Sequence, residues 1–301
     1  MRKDLEKAIN VIFASLAQTS QLKYKAVFDC WRKSADPLEA TSLDALAFFN
    51  ELKNKRTVKG NKICGETRRL YIVILNSIYR SLIDFGLVNK NPFAGLSKKI
   101  PKSPNEVRPI KLTNIKEVHR LFEACSKYTK KGIVKGAMLT LLYGCGRRVG
   151  ELHQLTLGDV QYTDDGTLYI QILRTKNKRM HIAVVPDSLK YWIETLVELR
   201  KHDGATERSK LFVVYRSNGT PKPTMSKDTL RMWFKQIAEE AGIKGISSHS
   251  GRATSITKLL SEGNSYKSVQ DFSGHCSISM VERYDKRRFV ISKAISKSIT
   301  Y

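Results

Sequence analysis

Apolar residues fall at helical spacing through most of the first ninety positions. Leu5, Ile9, Ile12 and Phe13 follow i, i+3, i+4 steps, and Leu43, Leu46, Ala47 and Leu52 do so less strictly, behind a cap at Thr41 or Ser42. Arg69 to Phe85 carries a longer stripe of Tyr71, Ile74, Leu75, Ile78 and Leu82, closed by Gly86. No strand signal interrupts these stripes, so residues 1–95 are expected to form a small all-helical domain. Pro92, Pro101, Pro104 and Pro109 then crowd a polar stretch, where proline blocks helix continuation. Residues 96–110 are therefore expected to be a linker, with Lys98, Lys99 and Lys102 as a basic cluster. Helical spacing resumes over Asn114–Cys125 and Gly132–Tyr143. Short β signals follow at Asp159–Tyr162, Leu168–Leu173 and His181–Val185, with Asp164, Asp165 and Gly166 as a hairpin turn. From Asp187 the pattern is helical again, broken at 203–225 and 242–248. The expected architecture is mainly α: a helical N-terminal domain, then a mixed α+β domain over 111–301 with one small antiparallel sheet.

Charge adds a partner to this outline. The 301 residues hold 53 Lys and Arg against 28 Asp and Glu, a net charge of +25. The excess is spread over both expected domains, so a polyanion contacted along the whole chain fits best, and nucleic acid is the usual one. No apolar run approaches the ~18–20 residues that span a bilayer, and the start MRKDLEKAIN does not resemble a signal peptide. The 5 scattered cysteines form no Cys-x-x-Cys, which argues against a disulfide framework or a zinc ribbon and for reduced thiols in the cytoplasm. There is no P-loop, no dinucleotide fingerprint and no His-Glu-x-x-His. Phosphodiester chemistry on this chain is expected to need no cofactor: no ATP and no metal.

Side-chain cations and a protein nucleophile remain, and the second domain holds both. In GCGRRVGEL (144–152), a small-residue turn precedes Arg147 and Arg148, and Glu151 stands where it can orient the Arg148 guanidinium. In RTKNKRMHIAVVP (174–186), Lys176 and Lys178 lie in or beside a hairpin turn, where a lysine reaches a minor groove or donates a proton. In SSHSGRATS (247–255), His249 and Arg252 share a helix face. In GHCSISMVERYDK (274–286), Gly274 and His275 precede a short amphipathic run that ends in Tyr284. Each segment alone is commonplace, a surface ion pair or a packed tyrosine.

Their order and spacing together resemble the tyrosine recombinase (phage integrase) family: Arg148 with Glu151, Lys176, His249, Arg252, His275 and Tyr284. Gly251 and Ala253 stand where the family often has Leu and His, and Arg147 where it often has Leu. The resemblance implies a helical core-binding domain, a linker and a catalytic domain of the DNA breaking–rejoining type, without an additional arm-binding domain. It further implies that Tyr284 is a nucleophile giving a 3′-phosphotyrosine and a free 5′-hydroxyl. Arg148 and Arg252 would clamp the phosphate, Lys176 would protonate the leaving oxygen, His249 would assist the proton of Tyr284, and His275 would hydrogen-bond the phosphate. Lys98, Lys99, Lys102, Arg147, Lys178 and Arg179 are further candidate DNA contacts. The implied partners are double-stranded DNA at specific core sites and three more copies of the chain, a tetramer acting through a Holliday junction. The apolar positions of 287–301 suggest a helix that docks on a neighbour. The expected role is integration or excision of a mobile element. Competing readings are an Xer-like dimer resolvase or an invertase, a type IB topoisomerase-like relaxase, and a catalytically silent DNA-binding protein.

Overall fold

The computed structural model describes residues 2–56, 60–96, 110–173 and 180–285. The chain divides into two compact units, Met1–Pro109 and Ile110–Tyr301.

In the first unit the described helices are α1 (Arg2–Ala14), α2 (Gln18–Trp31), α3 (Ser42–Glu51) and α4 (Gly65–Asp84). They close around Trp31, whose ring meets Phe48 and Phe93 edge-on at 5.1 and 4.9 Å. Its Nε1–H donates to the Tyr79 hydroxyl at 2.9 Å, and that hydroxyl donates to Pro37 O at 2.8 Å. Both buried polar atoms are thereby satisfied, as a core of large aromatics requires. Thr41 caps α3: its Oγ1 accepts from Asp44 N, and Asp44 Oδ2 accepts from Thr41 N at 2.8 Å. The apolar stripe expected on α3 is corrected in part. Leu43 is 78% exposed and Leu46 45%, while Ala45, Phe48 and Leu52 face inward. Phe48 must reach the Trp31 ring, and that contact, rather than the count of leucines, sets the rotation of the helix.

The second unit carries α5 (Ile115–Glu123), α6 (Lys130–Leu139), a π-turn (Thr140–Gly144), α7 (Val149–Leu152), a 3-10 turn (Leu157–Asp159), β1 (Val160–Tyr162), β2 (Leu168–Leu173), β3 (Met180–Val184), α8 (Asp187–His202), α9 (Lys227–Glu240), α10 (Ser248–Ser261), α11 (Tyr266–Ser273) and α12 (Ile278–Glu282). Every residue of α6 from Gly132 to Leu139 is buried, so this helix is the axis of the unit. The strands run antiparallel in the order β1-β2-β3, with Ile170 opposite Ala183. Leu168, Ile170, Ile172 and Ala183 point into the core, and Met180, Ile182 and Val184 point out. A Cβ on Gly136 would lie 2.1 Å from the buried Trp192 ring. Gly136→Ala is therefore expected to destabilise the unit by about 1–3 kcal/mol, read from denaturant midpoints, because an interior at crystal density has no room for it. Among the described residues no helix is long and apolar enough to cross a membrane.

Candidate active site

Three of the four segments singled out above come together around one side chain. Arg252 leaves the first turns of α10 and is 2% exposed. Its Nη1 donates to Gly146 O and to Ser273 O, both at 2.7 Å, and its Nη2 lies 3.0 Å from His275 Nε2. One guanidinium thus ties the turn that carries Arg148 to the turn that carries His275. The approach depends on a missing side chain. A Cβ on Gly251 would sit 3.0 Å from Leu142 O and from the Tyr143 ring, against the π-turn. Ser255, one turn on, donates to Tyr143 O and locks the same contact. π-turns recur at functional sites because they redirect the following residues, and here the chain leaves the turn directly into Gly146, Arg147 and Arg148.

Arg148 caps α7. Glu151 accepts from Arg148 N and from Arg148 Nη1, both at 3.0 Å. Desolvation would raise the Glu151 carboxyl, but the Arg148 hydrogen bond and the charges of Arg147, Arg148 and Arg252 outweigh it and hold it below its ordinary value. It stays ionised and keeps the Arg148 side chain, about one third exposed, in one orientation. Arg147 lies elsewhere. It is 1% exposed, its Nε donates to Cys145 O at 2.6 Å, and its Nη2 donates to Phe272 O. The guanidinium of this expected DNA contact braces the end of α11 from inside. Gly146 permits the brace, since at φ +61° its missing Cβ would lie 2.8 Å from the Phe272 ring.

α11 ends at Gly274, whose left-handed φ of 67° turns the chain back toward Arg252 and presents His275 there. His275 is buried, with Nδ1 2.7 Å from Ser273 Oγ. α12 follows and delivers Tyr284, whose ring centroid is 5.8 Å from that of His275. The Tyr284 ring packs beside Ile256, Leu260, Val269 and Val281. Its carbonyl accepts from Thr257 Oγ1 at 3.3 Å, and the next residue, Asp285, accepts from the Tyr266 hydroxyl at 2.6 Å. The nucleophile candidate is thus fixed on both sides by α10 and α11.

Electrostatics set the site apart. Burial, with Arg148 and Arg147 near, pushes the Arg252 guanidinium down to about 9, still cationic at neutral pH. Its Nε is buried with no hydrogen-bond partner. A desolvated cation with an unused donor is a receptor for an anion. His249, exposed on the first turn of α10, is held below its ordinary value by desolvation and by Arg148, Arg231 and Arg252. A cluster of cations around a tyrosine, with a neutral imidazole beside it, can bind a phosphodiester and move a proton.

Residues 111–289 match the phage integrase family. The chain belongs to that family. A tyrosine recombinase XerC of Oceanobacillus iheyensis is 30% identical over 220 residues, covering 71% of this chain and 67% of its own. Two solved structures share the fold. One is a lambda integrase dimer bound to a COC′ core site, with TM-score 0.66 and 20% identity over 94% of this chain and 77% of the other. The second is a Tn1549 transposon integrase in complex with circular intermediate DNA, with TM-score 0.69 and 17% identity over 97% and 98%. The protein is a tyrosine-type site-specific DNA recombinase.

Of the site residues expected for this recombinase, Arg148, Glu151, His249, Arg252, His275 and Tyr284 fall in one region. Lys176, Lys178 and Arg179 lie outside the described residues, on the connection between β2 and β3, whose last paired positions are Leu173 and Met180. Lys98, Lys99, Lys102 and residues 287–301 also lie outside them. Sequence reasoning missed Ser273 and Thr257, which bond site residues, and the Tyr266–Asp285 pair that anchors the position after Tyr284. The only local signal was a serine two positions before His275 and an aspartate directly after Tyr284.

The depressed His249 fixes a sign. It is neutral above its folded value and lost as a base when pH falls through it, so the acid limb of DNA cleavage by the free recombinase is expected below the ordinary 6.5. Single-turnover cleavage at subsaturating DNA against pH measures it, and His249→Gln should flatten the limb. A midpoint above 6.5 would remove His249 from the base role.

Proposed function

We propose that this recombinase cuts and rejoins duplex DNA through Tyr284. The phenol oxygen attacks the scissile phosphorus while His249 accepts its proton. The bond to the 5′ oxygen breaks, and Lys176 protonates that oxygen. The product is a 3′-phosphotyrosine and a free 5′-hydroxyl. Resealing is the reverse attack by a 5′-hydroxyl from a second duplex, so the phosphodiester energy is conserved and no nucleotide is consumed. A phenol with an ordinary value near 10 is a weak nucleophile at neutral pH. The phosphate must therefore be drained of charge by Arg148, Arg252 and His275, fixed before the reaction begins. The carrying observation is Arg252: buried, cationic, with an unused donor, and bonded to both loops that bear the other phosphate ligands.

The helical unit and the linker lysines Lys98, Lys99 and Lys102 would embrace the duplex at core sites, with the β2–β3 connection adding Lys178 and Arg179. Four copies acting on two sites would pass through a Holliday junction. A groove on the second unit lined by Val118, Phe122, Leu189, Leu259 and Phe272 supports docking of the apolar 287–301 segment of a neighbouring copy. The biological outcome is integration and excision of a mobile element. The similarity to XerC favours a second outcome with the same chemistry, resolution of circular dimers.

Duplexes selected from a random pool by binding, then nicked near the cut so that the cleaved end diffuses away, test the reading. A covalent protein–DNA adduct on a denaturing gel is expected, and two such sites should exchange strands in a tetramer. An adduct without exchange would indicate a relaxase, and binding without any adduct a silent DNA-binding protein. Exchange between two unlike sites separates integration from resolution, which joins like sites.

A further inference from the structure

Ser273 touches both buried phosphate ligands of the proposed site. Its carbonyl accepts from Arg252 Nη1 at 2.7 Å, and its hydroxyl lies 2.7 Å from His275 Nδ1. The side chain is fully buried at the end of α11. Donor–acceptor chemistry then assigns the His275 proton. A guanidinium has donors only. Arg252 Nη2, 3.0 Å from His275 Nε2, therefore meets a lone pair there. The ring is neutral, its proton sits on Nδ1, and Nδ1–H donates to Ser273 Oγ. The serine hydroxyl turns its own hydrogen to Gln270 O at 3.4 Å. Gln270 in turn donates through Nε2 to His275 O at 3.1 Å, so the backbone of the ring is also held.

This arrangement is a resting one. Nε2 without a hydrogen cannot donate to a phosphate oxygen, and Arg252 Nη2 is occupied by it. We propose that Ser273 is a positioning residue that sets the tautomer of His275 and reverses it when the scissile phosphate binds; this rests on the reading that His275 hydrogen-bonds that phosphate. An anionic oxygen draws Arg252 Nη2 to itself and needs a donor from the ring. Nδ1 gives its proton to solvent, Nε2 takes one from solvent, and the net charge of the ring is unchanged. The Ser273 hydroxyl rotates from Gln270 O to Nδ1 and becomes the donor. A hydroxyl alone among small side chains accepts in the first state and donates in the second without moving its heavy atom. Alanine supports neither state.

The tautomer is read directly from ring ¹⁵N shifts of the full-length protein labelled at histidine, with His275→Gln assigning the signal. Free wild type is expected to carry the proton on Nδ1. Tyr284→Phe bound to an intact selected duplex is expected to carry it on Nε2. Ser273→Ala should mix the tautomers in the free protein and slow single-turnover cleavage by about 10–100-fold at unchanged DNA affinity, taking the scale found when the outer hydrogen-bond partner of a metal-ligating histidine is removed. Ser273→Thr, which restores the hydroxyl, should recover both the tautomer and most of the rate. A proton on Nε2 in the free protein, an unchanged tautomer on DNA, or wild-type cleavage by Ser273→Ala would each overturn the proposal. So would a loss of rate that follows thermal midpoint and DNA affinity and is not recovered by threonine, since that is packing alone. The free-protein measurement needs no catalysis, so it separates failure of this inference from failure of the Tyr284 reading, which the adduct assay reports.

Discussion

Tyr284→Phe is expected to abolish the covalent DNA adduct while leaving DNA affinity and thermal midpoint close to wild type. The substitution removes one oxygen and keeps the ring. That ring packs with Ile256, Leu260, Val269 and Val281, contacts that phenylalanine reproduces. The residues that would hold the phosphate, Arg148, Arg252 and His275, are anchored by bonds that do not involve the phenol. Binding and chemistry should therefore separate cleanly. Removal of a nucleophile where charge stabilisation survives costs on the order of 10⁴-fold or more, which on a denaturing gel is the disappearance of the adduct band. An adduct that persists in Tyr284→Phe at wild-type level would mean that another side chain attacks.

Arg252→Lys should reduce cleavage by about 10²–10³-fold, the scale of losing one preorganised donor at a developing oxyanion. Lysine keeps the charge but not the fork. All three nitrogens of Arg252 are in use or available: Nη1 to the carbonyls of Gly146 and Ser273, Nη2 to the ring nitrogen of His275, and the free Nε. An ammonium cannot hold two loops and a ring and still offer a planar donor pair to phosphate. Arg252→Ala adds a structural penalty, because two buried carbonyls lose their donor, about 1–3 kcal/mol each. The lysine variant is therefore the informative one: single-turnover rate, DNA affinity and thermal midpoint should show a loss mainly in rate. Cleavage within a few-fold of wild type would remove Arg252 from the phosphate clamp.

Much of the fold was legible beforehand because its signals are local. The α4 stripe, the Thr41 cap and the Gly166 hairpin all arise from neighbours within a few residues. The stripe on α3 misled, since two of its leucines are exposed and the buried face follows Phe48 to Trp31. The bracing role of Arg147 was hidden for a similar reason: one of its partners is a backbone carbonyl 125 residues later, and no spacing rule reports that distance.

The sequence by itself determined the set of reactive side chains, their order, the absence of the nucleotide and metal motifs sought, and the basic charge on both halves. Those are properties of residue type and local spacing, and the resemblance to tyrosine recombinases followed from them. The spacing to Glu151 already marked Arg148 for the site, but tertiary structure alone decided that the adjacent Arg147 is buried and braces α11 from inside. It also decided that Arg252 joins loops 106 and 21 residues away, that Gly251 is small so that α10 can reach the π-turn, and that Ser273 holds the ring of His275. Hydrogen bonds of that span depend on where helices pack, and packing is settled by the whole core rather than by any segment of it.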